Sequence, residues 1–333
     1  MNRSGKHRPP QTRMTKPTIA LFSGDPAGVG PELTEKLLQR PGLQAAAHIV
    51  LIAQQGALNA PDWARWHAWP GQHAPVFPQA QATAANGRFM LQGLQAGTRL
   101  VESGQADAFC FAPLNKGALR LGGMHQEDEL RWFAEALKFD GVCGELNVLE
   151  SLWTARVTSH VALKEVSPLL TADKVADAIA MVHKALQAGG FAQPRIAVCG
   201  LNPHNGDNGN YGDEEGRVIA PGVALARQRG FVAEGPFPAD TAFVRAIRKD
   251  AAGQLEYNGV VTMYHDQGQI AMKLMGFERG VTVHGGLPVA ICTPAHGTAY
   301  DIAGLGQANP QAMFNAFDVA CRMGLHQRKA LTD

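Results

Sequence analysis

Short apolar runs alternate with amphipathic segments along most of the chain. Six runs have the length and residue types of buried strands, and they cover 18–22, 48–52, 108–112, 195–199, 260–264 and 287–291. Between them, apolar residues recur at helical spacing. The clearest case is 171–188, where Val175, Ile179 and Val182 share one face and Thr171 can cap the first turn. This alternation predicts a mostly parallel sheet with helices on both faces.

Further segments complete the predicted element order. Helices are expected at 33–38, 93–102, 129–138, 219–229 and 312–323. The runs 147–150 and 154–158 are consistent with a hairpin, and 54–88 reads as irregular. We therefore expect an α/β protein in which one unit, 130–280, is inserted into another formed by 17–129 plus 281–333. Residues 1–16 are expected to be a disordered tail.

Composition excludes several classes of function. Of 333 residues, 45% are hydrophobic and 18% are charged, which is typical of a globular enzyme. A formal net charge of +1 gives no electrostatic footprint for nucleic acid or an anionic membrane. The five cysteines are scattered without a Cys-x-x-Cys pair, so a disulfide framework is not expected and a reducing cytoplasm fits. Neither a membrane helix nor a signal peptide is indicated.

The stretch 259–304 holds more candidate chemistry than any other. His265 and Asp266 follow directly after a predicted strand, and Lys273 comes seven residues after Asp266. Ligands of open α/β sheets bind at the carboxyl ends of strands, so these side chains are expected at a site. A lysine buried near carboxylates can titrate in a useful range, which makes Asp240, Asp266 and Lys273 candidates for acid–base chemistry. The alternative is that each is a solvated surface charge.

Two more histidines occupy similar positions. His160 and His204 also follow predicted strands, and with His265 they form a set of three. Histidine is a common transition-metal ligand, and three protein ligands with an open position make a catalytic divalent site. The three lie far apart in sequence, so their spacing does not decide between a metal site and ordinary loop histidines.

Two glycine-rich turns offer places where the backbone can approach a ligand. GDPAGVGPE (24–32) lacks the GxGxxG spacing of a dinucleotide fingerprint. PAHGTAYDIAG (294–304) combines small residues with a predicted helix start, which suits an anion or a ribose. Neither turn identifies a ligand by itself.

Seven motifs, in family order, carry a resemblance. They are GDPAGVGPE (24–32), APLNKGAL (112–119), TSHVAL (158–163), NPHNGDNG (202–209), GPFPADTAF (235–243), YHDQG (264–268) and HGTAYDIAG (296–304). Together they resemble the 4-hydroxythreonine-4-phosphate dehydrogenase family of vitamin B6 (pyridoxine) biosynthesis. The first and last are also similar to the wider class of decarboxylating β-hydroxyacid dehydrogenases, such as isocitrate and isopropylmalate dehydrogenase.

The resemblance implies a fold and a cofactor. It implies a two-domain α/β/α fold like that of isocitrate and isopropylmalate dehydrogenase, with the active site in the interdomain cleft. The unit 17–129 plus 281–333 would bind NAD or NADP without a Rossmann domain, and 130–280 would carry the metal, substrate and dimerisation sites. The cofactor-binding residues of the HGTA loop would be His296, Gly297, Thr298, Ala299 and Asp301.

The resemblance also implies the chemistry. The family oxidises a secondary alcohol beside an acid, often with decarboxylation, and a divalent metal (Zn, Mg, Mn or Co) supplies Lewis acidity. Its three metal ligands fall on His160, His204 and His265, and its lysine falls on Lys273. Family dimers share this site between subunits, so the implied partners are a second copy and a small hydroxy-acid substrate.

The expected substrate pocket departs from the family pattern. Glu129 and Leu130 stand where the family has a substrate-binding histidine and threonine, and Thr282 and Ile291 stand where it has an asparagine and an arginine. Ala295 replaces an aspartate. Loss of the arginine and the histidine removes charge-assisted recognition of a phosphate. Two substrates therefore stay open, namely 4-hydroxythreonine 4-phosphate and an unphosphorylated cis-dihydrodiol acid of the terephthalate type.

Two other classes remain as alternatives. One is a non-catalytic binding protein of the same fold, against which the retained metal histidines and Lys273 argue. The other is a phosphate acyltransferase of related fold, which binding of NAD would exclude.

Overall fold

The computed structural model describes residues 16–54, 56–68 and 80–332. The predicted disordered tail at 1–16 lies outside these residues apart from Lys16, and so does part of the predicted irregular stretch 54–88.

The described residues form eleven strands. They are β1 (Thr18–Phe22), β2 (His48–Ile52), β3 (Arg65–Trp66), β4 (Ala108–Phe111), β5 (Gly144–Leu149), β6 (Leu152–Arg156), β7 (Ile196–Cys199), β8 (Ala233–Phe237), β9 (Gly259–Thr262), β10 (Val281–Gly285) and β11 (Ala290–Pro294).

The α-helices of the same residues follow the strand–helix alternation. They are α1 (Gly30–Leu38), α2 (Leu43–Ala46), α3 (Ala84–Glu102), α4 (Lys116–Leu121), α5 (Glu129–Ala136), α6 (Val166–Leu169), α7 (Ala172–Ala188), α8 (Ala220–Gln228), α9 (Ala239–Ala246), α10 (His265–Gly276) and α11 (Gln311–Thr332). A π-helical turn, Glu215–Ile219, leads into α8.

All the described strands join one sheet in the order β3-β2-β1-β4-β11-β10-β5-β6-β9-β7-β8. Of its ten pairings, seven are parallel and three, around β10 and β5, are antiparallel. The predicted mostly parallel α/β sheet is therefore confirmed, and the predicted hairpin is the β5–β6 pair.

Both faces of the sheet are buried, as the apolar runs of its strands require. In β1, Ile19 and Leu21 belong to one apolar cluster, while Ala20 and Phe22 belong to another. Successive side chains of a strand point to opposite faces. The helices that cover the two faces are thus held by different residues of the same strands.

Two helix caps place charged residues at the starts of α4 and α5. The side chain of Asn115 accepts a hydrogen bond from the Ala118 N–H over 2.8 Å, and α4 therefore begins at Lys116. The side chain of Asp128 accepts one from the Arg131 N–H over 2.9 Å, and α5 therefore begins at Glu129. Lys116 and Glu129 thus both occupy first turns of helices.

Some boundaries differ from those predicted. Helix α3 begins at Ala84, nine residues before the predicted start at 93, because Thr83 caps it by accepting a hydrogen bond from the Asn86 N–H. The strands β3, β8 and β10 were not predicted, and α11 continues to Thr332 rather than ending near 323. The prediction that 54–88 is irregular was wrong at β3 and at residues 84–88, which belong to α3.

Within the residues that the structure describes, no helix combines the length and the apolar character needed to cross a bilayer.

Candidate active site

A cavity of about 330 Å³ lies at the middle of the sheet. The end of β4, alternate residues of β5 and β10, the end of β11, and helices α4, α5 and α10 all contribute to its lining. Its walls therefore come both from 17–129 plus 281–333 and from 130–280.

The cavity brings together many of the residues that the sequence singled out. Those that line it are Glu129, His160, His265, Lys273, Thr282, Ala295, His296 and Gly297. They come from five separate segments of the chain, so the fold gathers residues that are far apart in sequence.

Other predicted site residues do not line the cavity. Leu130 and Ile291 are buried, with 3% and 0% of their surfaces exposed, and neither lines the cavity. Asp240 and His204 are exposed and also lie outside the lining. Lys273 is exposed rather than buried, with its Nζ 5.9 Å from the centre of the Phe277 ring.

Two of the three candidate metal histidines face each other. The ring centres of His160 and His265 are 5.8 Å apart. His160 Nδ1 also lies 3.5 Å from a carboxylate oxygen of Glu127 and 3.7 Å from one of Asp128. Ligand atoms of these last three residues all fall within 4.8 Å of one another. Imidazole and carboxylate donors suit a divalent transition metal, so these residues fit such an ion.

His265 carries the orienting contact expected of a metal ligand. Its Nδ1 lies 2.7 Å from Oδ1 of the exposed Asp266. A carboxylate that accepts from one ring nitrogen fixes the orientation of the imidazole and leaves the other nitrogen for a metal. Asp266 can thus contribute to the site without lining the cavity.

His204 lies in an unusual turn at the end of β7. Residues 204–208 all have left-handed backbone angles, with φ between 41° and 79°. Left-handed conformations occur normally as single residues and not in series. The buried carboxylate of Glu215 holds the start of this turn by accepting hydrogen bonds from the Leu201 and Asn202 N–H groups over 2.8 and 2.7 Å.

Buried ionisable residues form the inner end of the cavity. Glu129 is 9% exposed and His284 is 3% exposed. Burial raises the pKa of the Glu129 carboxyl, although Lys116, 3.8 Å away, opposes this. Glu145 accepts a hydrogen bond from Arg156 Nη2 over 2.6 Å, and Arg156 is itself almost fully buried. Both carboxylates therefore have a cationic partner.

The two glycine-rich loops are joined next to the cavity. The Val29 N–H donates to the Thr298 carbonyl over 3.0 Å, and the Tyr300 hydroxyl donates to Asp25 over 2.6 Å. A Cβ on Gly28 would lie 2.7 Å from the Thr298 carbonyl oxygen, so only glycine allows this approach. Of the candidate cofactor residues in this second loop, Thr298 is buried, Ala299 is left-handed and Asp301 is exposed. The helix start predicted in this loop was wrong, since only a 3-10 turn, Tyr300–Ile302, follows Ala299.

Six polar lining residues were missed by reasoning from the sequence. They are Lys116, Glu145, Asn147, Gln269, His284 and Thr293. The strand register pairs Thr282 with Asn147 and His284 with Glu145, so polar residues at alternate positions of β5 and β10 share one face. Such alternation within otherwise apolar strands was the signal available in the sequence.

The chain matches known proteins over most of its length. The family model of the pyridoxal phosphate biosynthetic protein PdxA matches residues 37–320. A Pseudomonas aeruginosa protein provisionally named 4-hydroxythreonine-4-phosphate dehydrogenase 2 is 50% identical, over 93% of this chain and 98% of its own length.

Two solved structures extend the comparison. The 4-hydroxythreonine-4-phosphate dehydrogenase of Klebsiella pneumoniae superposes with a TM-score of 0.80 at 30% identity, covering 94% of this chain and 99% of that one. A terephthalate 1,2-cis-dihydrodiol dehydrogenase of Burkholderia xenovorans has a TM-score of 0.67 at 25% identity, covering 92% and 98%. The fold is thus that of the isocitrate dehydrogenase-like dehydrogenases. The chain belongs to the PdxA family, and it is an oxidoreductase that acts on CH–OH groups.

Proposed function

We propose that the protein is a metal-dependent, NAD(P)-linked dehydrogenase of the 4-hydroxythreonine-4-phosphate dehydrogenase type that oxidises a secondary alcohol of a hydroxy acid, with loss of carbon dioxide. One observation carries this proposal: His160 and His265 line the same cavity as His296 and Gly297 of the HGTA loop. Candidate metal and cofactor residues thus border a single space large enough for a small acid.

The histidines of this cavity would hold the metal, together with His204. A divalent ion there would supply Lewis acidity that favours loss of a proton from the substrate alcohol and stabilises negative charge on oxygen. Asp266 orients His265 through the contact with Nδ1. Lys273 lines the same cavity, so it is the candidate group to take up and return protons at the substrate.

The joined glycine-rich loops would bind the cofactor. Contacts of Val29 and Asp25 fix the HGTA loop against the loop that follows β1. A loop held in this way can present backbone N–H groups to a ribose or phosphate without reorganising. The chain would thus bind the cofactor through the preorganised backbone of the loop 296–304.

A second copy of the chain would complete the site. Ile270 and Leu274 on α10, and Phe277 after it, are 58%, 83% and 50% exposed. Exposed apolar side chains in one patch commonly mark an interface. Lys273 lies within this patch, so a homodimer that covers the patch would remove Lys273 from solvent.

An unphosphorylated cis-dihydrodiol acid is the second candidate substrate. The observation that favours it is the burial of Leu130 and Ile291, which leaves neither side chain available to the cavity. An arginine is the usual partner for a bidentate contact with phosphate, and Ile291 offers no donor.

Spectroscopic measurement of NAD and NADP reduction would test the function. The substrates are 4-hydroxythreonine 4-phosphate and carboxylated cis-dihydrodiols, each assayed with Zn, Mg, Mn or Co added to chelator-treated protein. We expect metal-dependent turnover of one substrate class, and loss of it in His160→Ala. His326→Ala is the matched control, because His326 is an exposed histidine on α11. Full turnover by the chelated protein or by His160→Ala would contradict the proposal.

A further inference from the structure

His284 is a buried polar side chain that makes no side-chain hydrogen bond to the residues that the structure describes. It is 3% exposed, and neither ring nitrogen has a hydrogen-bond partner among the described residues. Its ring stacks on Phe111 at a centroid distance of 5.9 Å and meets Phe133 edge-on at 5.1 Å. Buried polar groups in native proteins are normally satisfied, so an unpaired imidazole that lines a cavity indicates a missing partner.

Carboxylates dominate the immediate surroundings of this ring. Glu145 is paired directly with His284 across β5 and β10. Glu129, buried at the start of α5, also lines the cavity. The charges that act on His284 are those of Glu145, Asp128 and Lys116.

Of the nearby cations, Arg156 is hydrogen-bonded to a carboxylate, whereas Lys116 lies beside one with its side chain 58% exposed. Arg156 contacts Glu145 over 2.6 Å and Asn147 over 3.1 Å, and Lys116 lies 3.8 Å from Glu129. A phosphate placed here would compete with two carboxylates for these cations and would itself lie beside the negative charges. The inner end of the cavity is therefore unsuited to a dianion.

We propose that the cavity floor, defined by Phe111, Glu129, Glu145, His284 and Thr293, is a subsite for an uncharged, hydroxyl-bearing end of the substrate, and that His284 contacts that hydroxyl directly. The inference rests on the proposed dehydrogenase function of the same cavity. It narrows the substrate class to hydroxy acids that carry no phosphate at the end remote from the acid.

The protonation state of the ring suits this role. Burial lowers the pKa of His284 to about 4, so at neutral pH its imidazole has one N–H donor and one acceptor nitrogen. A hydroxyl group can satisfy either nitrogen, and the carboxylates of Glu129 and Glu145 can accept from further hydroxyls. A fully ionised phosphate ester has no proton to donate to these acceptors.

The test compares one molecule with and without its phosphate. The value of kcat/KM is measured for 4-hydroxythreonine and for its 4-phosphate with the full-length protein, metal and cofactor, and the Kd of each compound is measured by calorimetry. We expect the wild type to prefer the unphosphorylated compound by at least about tenfold in both quantities. His284→Leu should abolish most of this preference, and His284→Asn, which keeps a donor and an acceptor, should restore part of it.

A matched variant controls for structural damage. His183→Leu makes the same change at another buried histidine, whose Nδ1 also lacks a partner among the described residues and whose ring packs on Phe231 away from the cavity. We expect it to leave the ratio between the two compounds unchanged. A His284→Leu variant that weakens both compounds equally would show a purely structural role and overturn the inference.

The remaining outcomes separate the subsite from the function. A wild-type preference for the phosphate ester, or no binding of either compound, overturns the subsite. Binding that prefers the unphosphorylated compound through His284, without reduction of cofactor by 4-hydroxythreonine, by its phosphate or by any cis-dihydrodiol acid, supports the subsite and contradicts the dehydrogenase function at this cavity.

Discussion

The phenol of Tyr300 donates a hydrogen bond to the carboxylate of Asp25 over 2.6 Å, and this contact ties the loop after β11 to the loop after β1. Asp25 is fully buried, and its other donors are the Ala27 N–H and the side chain of Asn86. Burial raises the pKa of the Asp25 carboxyl, although these hydrogen bonds oppose the rise. The carboxylate thus depends on its three donors.

Removing the hydroxyl of Tyr300 should loosen both loops. Tyr300→Phe takes one donor from a buried carboxylate, and we expect it to lower the free energy of unfolding by about 1–3 kcal/mol and to weaken NAD(P) binding. Urea unfolding and calorimetric titration with cofactor measure the two effects. Tyr211→Phe is the control, because Tyr211 is 54% exposed; equal losses in both variants would contradict the prediction.

A methyl group on Gly28 should disturb the same junction. The added Cβ would meet the Thr298 carbonyl oxygen at 2.7 Å and the Thr298 Cβ at 2.8 Å. We expect Gly28→Ala to weaken cofactor binding and to lower stability by about 1–3 kcal/mol. Gly216→Ala should do neither, since a Cβ there has no neighbour within 4 Å among the described atoms. Unchanged cofactor affinity in Gly28→Ala would show that the loops do not bind it together.

Loss of the Glu215 carboxylate should release the turn that carries His204. Glu215→Ala leaves the Leu201 and Asn202 N–H groups without their acceptor, and we expect it to lower the free energy of unfolding by about 3 kcal/mol. Metal affinity of the chelator-treated protein, measured by titration with zinc, should fall as well. Asp213→Asn changes an exposed neighbour and should preserve both the stability and the zinc affinity. Normal zinc affinity in Glu215→Ala would show that this turn does not contribute to the metal site.

His284 should make stability depend on pH in a defined window. Its pKa is lowered from 6.5 to about 4 by burial, so between these values the unfolded chain binds a proton that the folded protein does not. Stability therefore falls as pH drops from 6.5 to about 4 and levels off below that. We expect the wild type to lose up to about 3 kcal/mol relative to His284→Leu across this window. Urea unfolding of both proteins, at neutral pH and at pH of about 4, measures this difference. An equal loss of unfolding free energy in the wild type and in His284→Leu would contradict the prediction.

The exposed apolar residues of α10 should hold two copies together. Leu274, 83% exposed, is the most exposed of them. We expect Leu274→Asp to shift the protein from dimer to monomer in analytical ultracentrifugation and to reduce activity at least about tenfold, because a charge in an apolar interface costs several kcal/mol. Leu305→Asp is the control, since Leu305 is 59% exposed and lies outside α10, in the loop that precedes α11. A wild-type protein that sediments as a monomer would contradict the proposed homodimer.

The strands that were predicted correctly are those whose apolar runs are buried on both faces, such as β1 and β2. The strand β8 was missed because its sequence, AEGPF, contains residues that are disfavoured in strands. The predicted metal histidines could be listed from the sequence, but the left-handed turn at His204 depends on Glu215, which lies eleven residues further along the chain. Likewise, His284 meets Glu145 only through strand pairing, and no local pattern reveals such pairing.

The pairing of β5 with β10 has a consequence for any attempt to divide the protein. Five residue pairs, from Val281–Val148 to Gly285–Gly144, join the segment 130–280 to the segment that begins at 281. A fragment that stops at residue 280 would leave β5 paired only with β6, as an edge strand carrying the apolar residues Leu146 and Val148. Unprotected edges of this kind recruit other chains. We therefore expect such a fragment to aggregate when expressed alone and to become soluble only when the C-terminal segment is supplied with it.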